Sequence, residues 1–175
     1  MIKSLALAAL LAAPSVAQAQ QCFTKQQVAD TAITLVPYAI DSLRERCLPH
    51  LPQEAFLSKG GGDLVTRIRS DGAGREQAAG AVMQKLMGAD VPPMKDTTTL
   101  TSFFGQMVGA MIAKDVKPEL CPGISGMIEA LAPLPTDNLA TFFVSGAMLV
   151  EAGTAAEKGK KKARKPDDFE ICKDG

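Results

Sequence analysis

Residues 100–112 read LTSFFGQMVGAMI. Leu100, Phe103, Phe104, Met107, Val108, Met111 and Ile112 recur at steps of three and four, which puts an apolar stripe on one face of a helix. Two of the seven Phe and two of the eight Met lie here, so this helix is expected in the middle of the core. The rest of the chain reads as helices laid around it. The expected fold is all-α: a single-domain bundle of five to seven helices, some short or kinked, stapled by two disulfides.

Upstream, a first helix is expected over residues 24–46. Thr24 and Gln27 form a capping-box pattern, and Val28, Ala32, Val36, Ile40, Leu43 and Cys47 mark its apolar face. Pro37 interrupts it and removes one backbone donor, which predicts a kink. A bend that follows a globular core is the simpler role. A helix opened to line a pocket is the other, because Tyr38, the only tyrosine, stands beside it.

Leu48-Pro49-His50-Leu51-Pro52 fixes an extended corner, followed by a short helix over residues 53–58. Lys59-Gly60-Gly61-Gly62 reads as a flexible link and Asp63 as an N-cap. Residues 63–87 are either one faulted helix or two helices broken at Asp71-Gly72-Ala73-Gly74. Each glycine costs about 1 kcal/mol in a helix interior, so the break falls there. Gly88 and Pro92-Pro93 end this region.

Asp96 or Thr97 should cap the helix of residues 100–112, which ends near Asp115. Cys121-Pro122 opens a short helix with the stripe Ile124, Met127, Ile128 and Leu131, stopped by Pro133 and Pro135. Thr136 or Asp137 caps the last helix, whose apolar side carries Leu139, Phe142, Phe143, Gly146, Leu149 and Val150. One echo is visible. Residues 100–104, LTSFF, resemble residues 139–143, LATFF, and residues 109–112, GAMI, resemble residues 146–149, GAML. The offset slips from 39 to 37 between the two phrases. Two core helices with similar packing needs explain this more simply than a duplication, and it is not a solenoid period.

The chain ends carry different messages. Lys3, an uninterrupted Leu/Ala run over residues 5–13 and Ala17-Gln18-Ala19 read as a secretory leader cut after Ala19. The run is too short to span a bilayer, so the mature chain is expected not to be transmembrane. Gln20 and Gln21 before Cys22 do not fit a lipoprotein processing box. Lys and Arg number 19 against 19 Asp and Glu, and loss of Lys3 with the leader leaves a net charge of −1. That balance speaks against bulk attraction to nucleic acid. Residues 1–19 are thus the signal peptide and residues 20–156 the helical domain. Residues 157–166 form a basic flexible linker, and residues 167–175 a tail tied back through Cys172.

The four cysteines, Cys22, Cys47, Cys121 and Cys172, are an even set without a CxxC motif, and an exported chain uses such a set for two disulfides. A straight helix over residues 24–46 is about 35 Å long. It would hold Cys22 and Cys47 at opposite ends, beyond the roughly 7 Å Cα separation a disulfide allows. Two pairings survive: Cys22–Cys121 with Cys47–Cys172, and Cys22–Cys172 with Cys47–Cys121.

Catalytic groups are sparse. His50, the only histidine, lies in the proline corner with Glu54 four residues on, and a metal site or acid/base pair needs more. There is no GxSxG. Met83 with Met87, and Met107 with Met111, have a helical spacing at which thioethers hold Cu(I), although methionine on apolar stripes usually fills core gaps. The glycine runs near Arg67, Arg69 and Arg75 lack a P-loop ending and read as linkers rather than anion sites. Lys158, Lys160, Lys161, Lys162, Arg164 and Lys165 place six positive charges in eight residues. Such a run is usually a solvated linker and has the chemistry to touch an anionic surface.

The expected function is therefore a non-catalytic binding or interaction module in the periplasm of a Gram-negative bacterium, without a cofactor. Its expected partner is a protein, an envelope surface or an apolar small molecule, and not nucleic acid. It is expected to be a monomer or weak oligomer. A periplasmic copper carrier using the Met pairs is the alternative, and a third is a hydrolase whose carboxylates the sequence does not identify, since no local acidic pair stands out.

Overall fold

The computed structural model describes residues 22–87, 96–158 and 171–172. Among them are seven helices and no strand: α1 (Lys25–Cys47), α2 (Phe56–Lys59), α3 (Gly61–Asp71), α4 (Glu76–Met87), α5 (Thr97–Lys114), α6 (Cys121–Leu131) and α7 (Thr136–Lys158). Single 3₁₀ turns at Leu48–His50 and Pro118–Leu120 precede the second and sixth helices. Residues 1–21, 88–95, 159–170 and 173–175, which include the expected leader and most of the expected basic linker and tail, lie outside the described residues.

α1 begins where the sequence marks a cap. The Thr24 hydroxyl accepts from Gln27 N–H at 3.1 Å, and Gln27 Oε1 accepts from Thr24 N–H at 2.9 Å. The helix runs unbroken through Pro37 to Cys47. It, and not α5, is the middle of the molecule: α3, α4, α5 and α7 all pack against it. Its buried face is Val28, Ile33, Pro37, Ile40, Leu43 and Cys47, so Ile33 and Pro37 replace the expected Ala32 and Val36 at its centre.

The expectation that the 100–112 stripe fills the core is overturned. Phe103 is 63% exposed, Met111 58% and Ile112 46%. The buried residues of α5 are Leu100, Thr101, Gly105, Gly109 and Ala113. From Thr101 to Ala113 these form an i, i+4 row of small residues, which lets α5 lie close on α1. A Cβ on Gly105 would run into the Tyr38 ring, and one on Gly109 would sit 2.7 Å from the Tyr38 carbonyl oxygen. The two helices touch through backbone, so the larger residues of α5 are turned away.

The break at residues 71–74 yields two helices. Gly74 has φ +88°, a conformation that favours glycine, and Gly72 caps α3 under Ile33. The expected flexible link at residues 60–62 is instead a tight crossing. Gly61 opens α3, and a Cβ there would stand 2.8 Å from Arg44 Cδ. Arg44 Nε in turn donates to the Leu57 carbonyl at 3.1 Å. Asp63 lies inside the first turn of α3 rather than at its cap. The short second helix starts three residues later than expected.

The disulfides are Cys22–Cys172 and Cys47–Cys121, one of the two pairings the helix-length argument left open. Cys47 and Cys121 are fully buried, pinning the end of α1 to the start of α6. Leu57 N–H donates to Ser125 Oγ at 3.2 Å and fixes α2 to α6. Cys22–Cys172 ties the C-terminal segment back beside the start of α1. There Cys172 N–H donates to the Phe23 carbonyl, and Ile171 packs with Phe23, Val28 and Val82.

Candidate functional site

Because α5 and α7 both lie on α1, and α6 is held by its disulfide and by Leu57, the four helices leave a groove over α1. Its volume is about 340 Å³. Val36, Ala39 and Ile40 of α1 form the floor with Leu64 and Ile68 of α3. Val108 and Ile112 stand on one side, and Met127, Leu131, Leu139 and Phe142 on the other. All sixteen lining residues are Ala, Val, Leu, Ile, Met or Phe. Ile112, Met127 and Phe142 are each about half exposed at its rim. Nearly every lining residue lies on an apolar stripe legible in the sequence. The opening between those stripes is a property of how the helices are placed.

On the opposite side of the same helix, a smaller cleft of about 180 Å³ is lined by Pro37, Tyr38, Thr34, Thr98 and Thr101. Arg69 also lines it; its guanidinium stands 5.6 Å from the Tyr38 ring centroid and 2.7 Å from Asp41. Pro37 borders this cleft, but α1 continues unbroken through it, so the helix is not opened there as the second of its two expected roles required.

The other singled-out residues are dispersed. His50 is exposed in the 3₁₀ turn after α1. Met83 is buried against Ala79 and Leu100, with Met87 packed beside it, as core methionines. Met107 and Met111 are not core: they are 40% and 58% exposed on α5. Lys158 is the last residue of α7, and Lys160, Lys161, Lys162, Arg164 and Lys165 lie outside the described residues. The arginines near the glycine runs hold the fold. Arg67 Nη2 donates to the Ala132 and Leu134 carbonyls at 2.6 and 3.2 Å. Arg75 bridges Asp137 at 2.8 Å and Asp30 at 3.3 Å, and the Asp137 hydrogen bond holds its guanidinium above its ordinary pKa. Nothing in the local sequence around Arg67 signalled its long reach to the α6–α7 connection.

Among the described residues no three of His, Cys, Asp and Glu come together as a metal-binding group, and no helix is long and apolar enough to cross a membrane. Compared with protein-family models, curated proteins and solved structures, the chain matches none.

Proposed function

We propose that this chain is an exported, non-catalytic binding module that holds an apolar small molecule in the groove over α1. One observation carries the reading: an open groove of about 340 Å³ whose walls offer no polar side chain. That size falls at the lower end of the range of about 300–1,000 Å³ typical of small-molecule sites. Half-exposed Ile112, Met127 and Phe142 at the mouth supply contact area that a ligand would cover. Two disulfides suit an oxidising compartment, and together with the leader pattern they support the Gram-negative periplasm as its location.

The test is native mass spectrometry of the chain purified from a bacterial periplasm, followed by titration with 1-anilinonaphthalene-8-sulfonate. The expected result is a non-covalent apolar passenger, or saturable dye binding at one site per chain. Phe142→Asp combined with Met127→Asp, both at exposed positions, should weaken the dye by about tenfold, equivalent to 1.4 kcal/mol. Absence of a passenger together with absence of saturable dye binding refutes the reading.

The exposure of Met107 and Met111 keeps a second reading in play, a copper carrier. It requires Cu(I) to raise the thermal midpoint of the parent chain and not of Met107→Leu/Met111→Leu. A parent midpoint that ignores Cu(I) ends it.

A further inference from the structure

Arg67 and Asp71 are four residues apart on α3, the spacing at which opposite charges ordinarily meet on a helix face. Here they do not meet. Arg67 is absent from the ion pairs of the described residues, and both its hydrogen bonds run from Nη2 to the Ala132 and Leu134 carbonyls. Its Nε is buried and is the one buried side-chain polar atom without a hydrogen-bond partner among those residues. Asp71 is exposed, and its one contact is the Thr136 hydroxyl, which donates to Oδ2 at 2.6 Å. A cleft of about 500 Å³ is lined by both, together with Pro133, Pro135, Arg75 and Asp137. The last two neutralise each other at 2.8 Å. The cleft therefore presents one cation and one anion that have been kept apart.

A simple anion on Arg67 would face the Asp71 carboxylate, and a simple cation on Asp71 would face the Arg67 guanidinium. A ligand that carries both charges satisfies both groups. Nη1 of Arg67, which makes neither of the carbonyl bonds and is not among the buried atoms, is the donor left open to such a ligand. We propose that this cleft binds a small zwitterion of the α-amino-acid class, carboxylate on Arg67 and protonated amine on Asp71. The two prolines have fixed φ and hold the facing wall, so little ordering is needed on binding. The site shares no lining residue with the apolar groove, and its success or failure is independent of that one.

The experiment is an NMR titration of the disulfide-bonded chain with L-alanine, acetate and methylammonium, following the Arg67 Nε–H and the Thr136 amide. L-alanine should shift both signals saturably, with acetate and methylammonium at least about tenfold weaker, or 1.4 kcal/mol. Asp71→Asn retains an acceptor for Thr136 and changes an exposed side chain. It should leave the thermal midpoint in place and weaken L-alanine by a similar factor. Arg67→Gln should do the same to binding, although it also unhooks the α6–α7 connection. The proposal is overturned by unmoved signals with L-alanine, by acetate binding as tightly as L-alanine, or by Asp71→Asn binding as the parent does.

Discussion

α5 and α7 carry the same two phrases and live in different surroundings. Their first halves match. Leu100 and Leu139 are buried, Phe103 and Phe142 are exposed, and Phe104 and Phe143 are half-buried edge-on to their neighbours. The second halves part. Gly109 is pressed on the backbone of α1, whereas a Cβ on Gly146 would meet nothing within 4 Å. The two-residue slip in the echo explains the divergence. At about 100° per residue it turns the second phrase through roughly 200° relative to the first. In α5 the glycine therefore falls in the small-residue row that docks on α1. In α7 it falls near the line of Leu139, and that line leaves the body of the protein before Val150, which is 68% exposed. Similar residues acquire different roles through helical phase and the presence or absence of a facing helix.

The largest effects should come where the two helices agree. Leu100→Ala and Leu139→Ala each remove a fully buried side chain and should cost about 2–5 kcal/mol, measured by urea unfolding. A cost at Leu139 below 1 kcal/mol would show that the first halves are not equivalent. Next comes the point of divergence. Gly109→Ala forces a methyl against the Tyr38 carbonyl and should destabilise by about 1–3 kcal/mol, while Gly146→Ala has open space and should stabilise by up to about 1 kcal/mol through helix propensity. Equal signs in the two thermal midpoints would break the comparison.

The smallest effect concerns how α5 begins. The Asp96 carboxylate accepts from the Thr98 and Thr99 amides and from the Thr99 hydroxyl. The Thr99 hydroxyl is the main reason its pKa lies below 3.8. A carboxyl depressed in the folded state contributes stability that is fully present above its unfolded value and lost as pH falls through the lowered one. Amides at the start of α5 should therefore lose hydrogen-exchange protection below pH 3.8, while Asp96→Asn flattens that dependence. A parent profile identical to that of Asp96→Asn would remove the charge from the cap.

Caps and breaks were legible in the sequence because they are local. Thr24 with Gln27, Asp96, and the glycines between α3 and α4 act within a few residues of themselves. The apolar groove was half legible: its lining residues lie on visible stripes, but a stripe does not say whether a neighbouring helix covers it. Arg67 and Asp71 were not legible as a pair of unpaired charges, since the carbonyls and hydroxyl that hold them apart come from 65 to 67 residues away.

The sequence by itself determined that the chain is helical, where several helices start and stop, and that the four cysteines make two disulfides. Those properties follow from hydrophobic period, capping chemistry and the parity of the cysteines. Only the tertiary structure decided that α1 rather than α5 is the central helix, which cysteines pair, and which glycines are contacts. It also decided that an apolar opening remains over α1. The reason is physical. A helix's own residues set its amphipathic pattern, whereas burial depends on the approach distance of another helix. In α5 the row from Thr101 to Ala113 lets the backbone come so close to Tyr38 that the smallest side chains face inward and the largest face out.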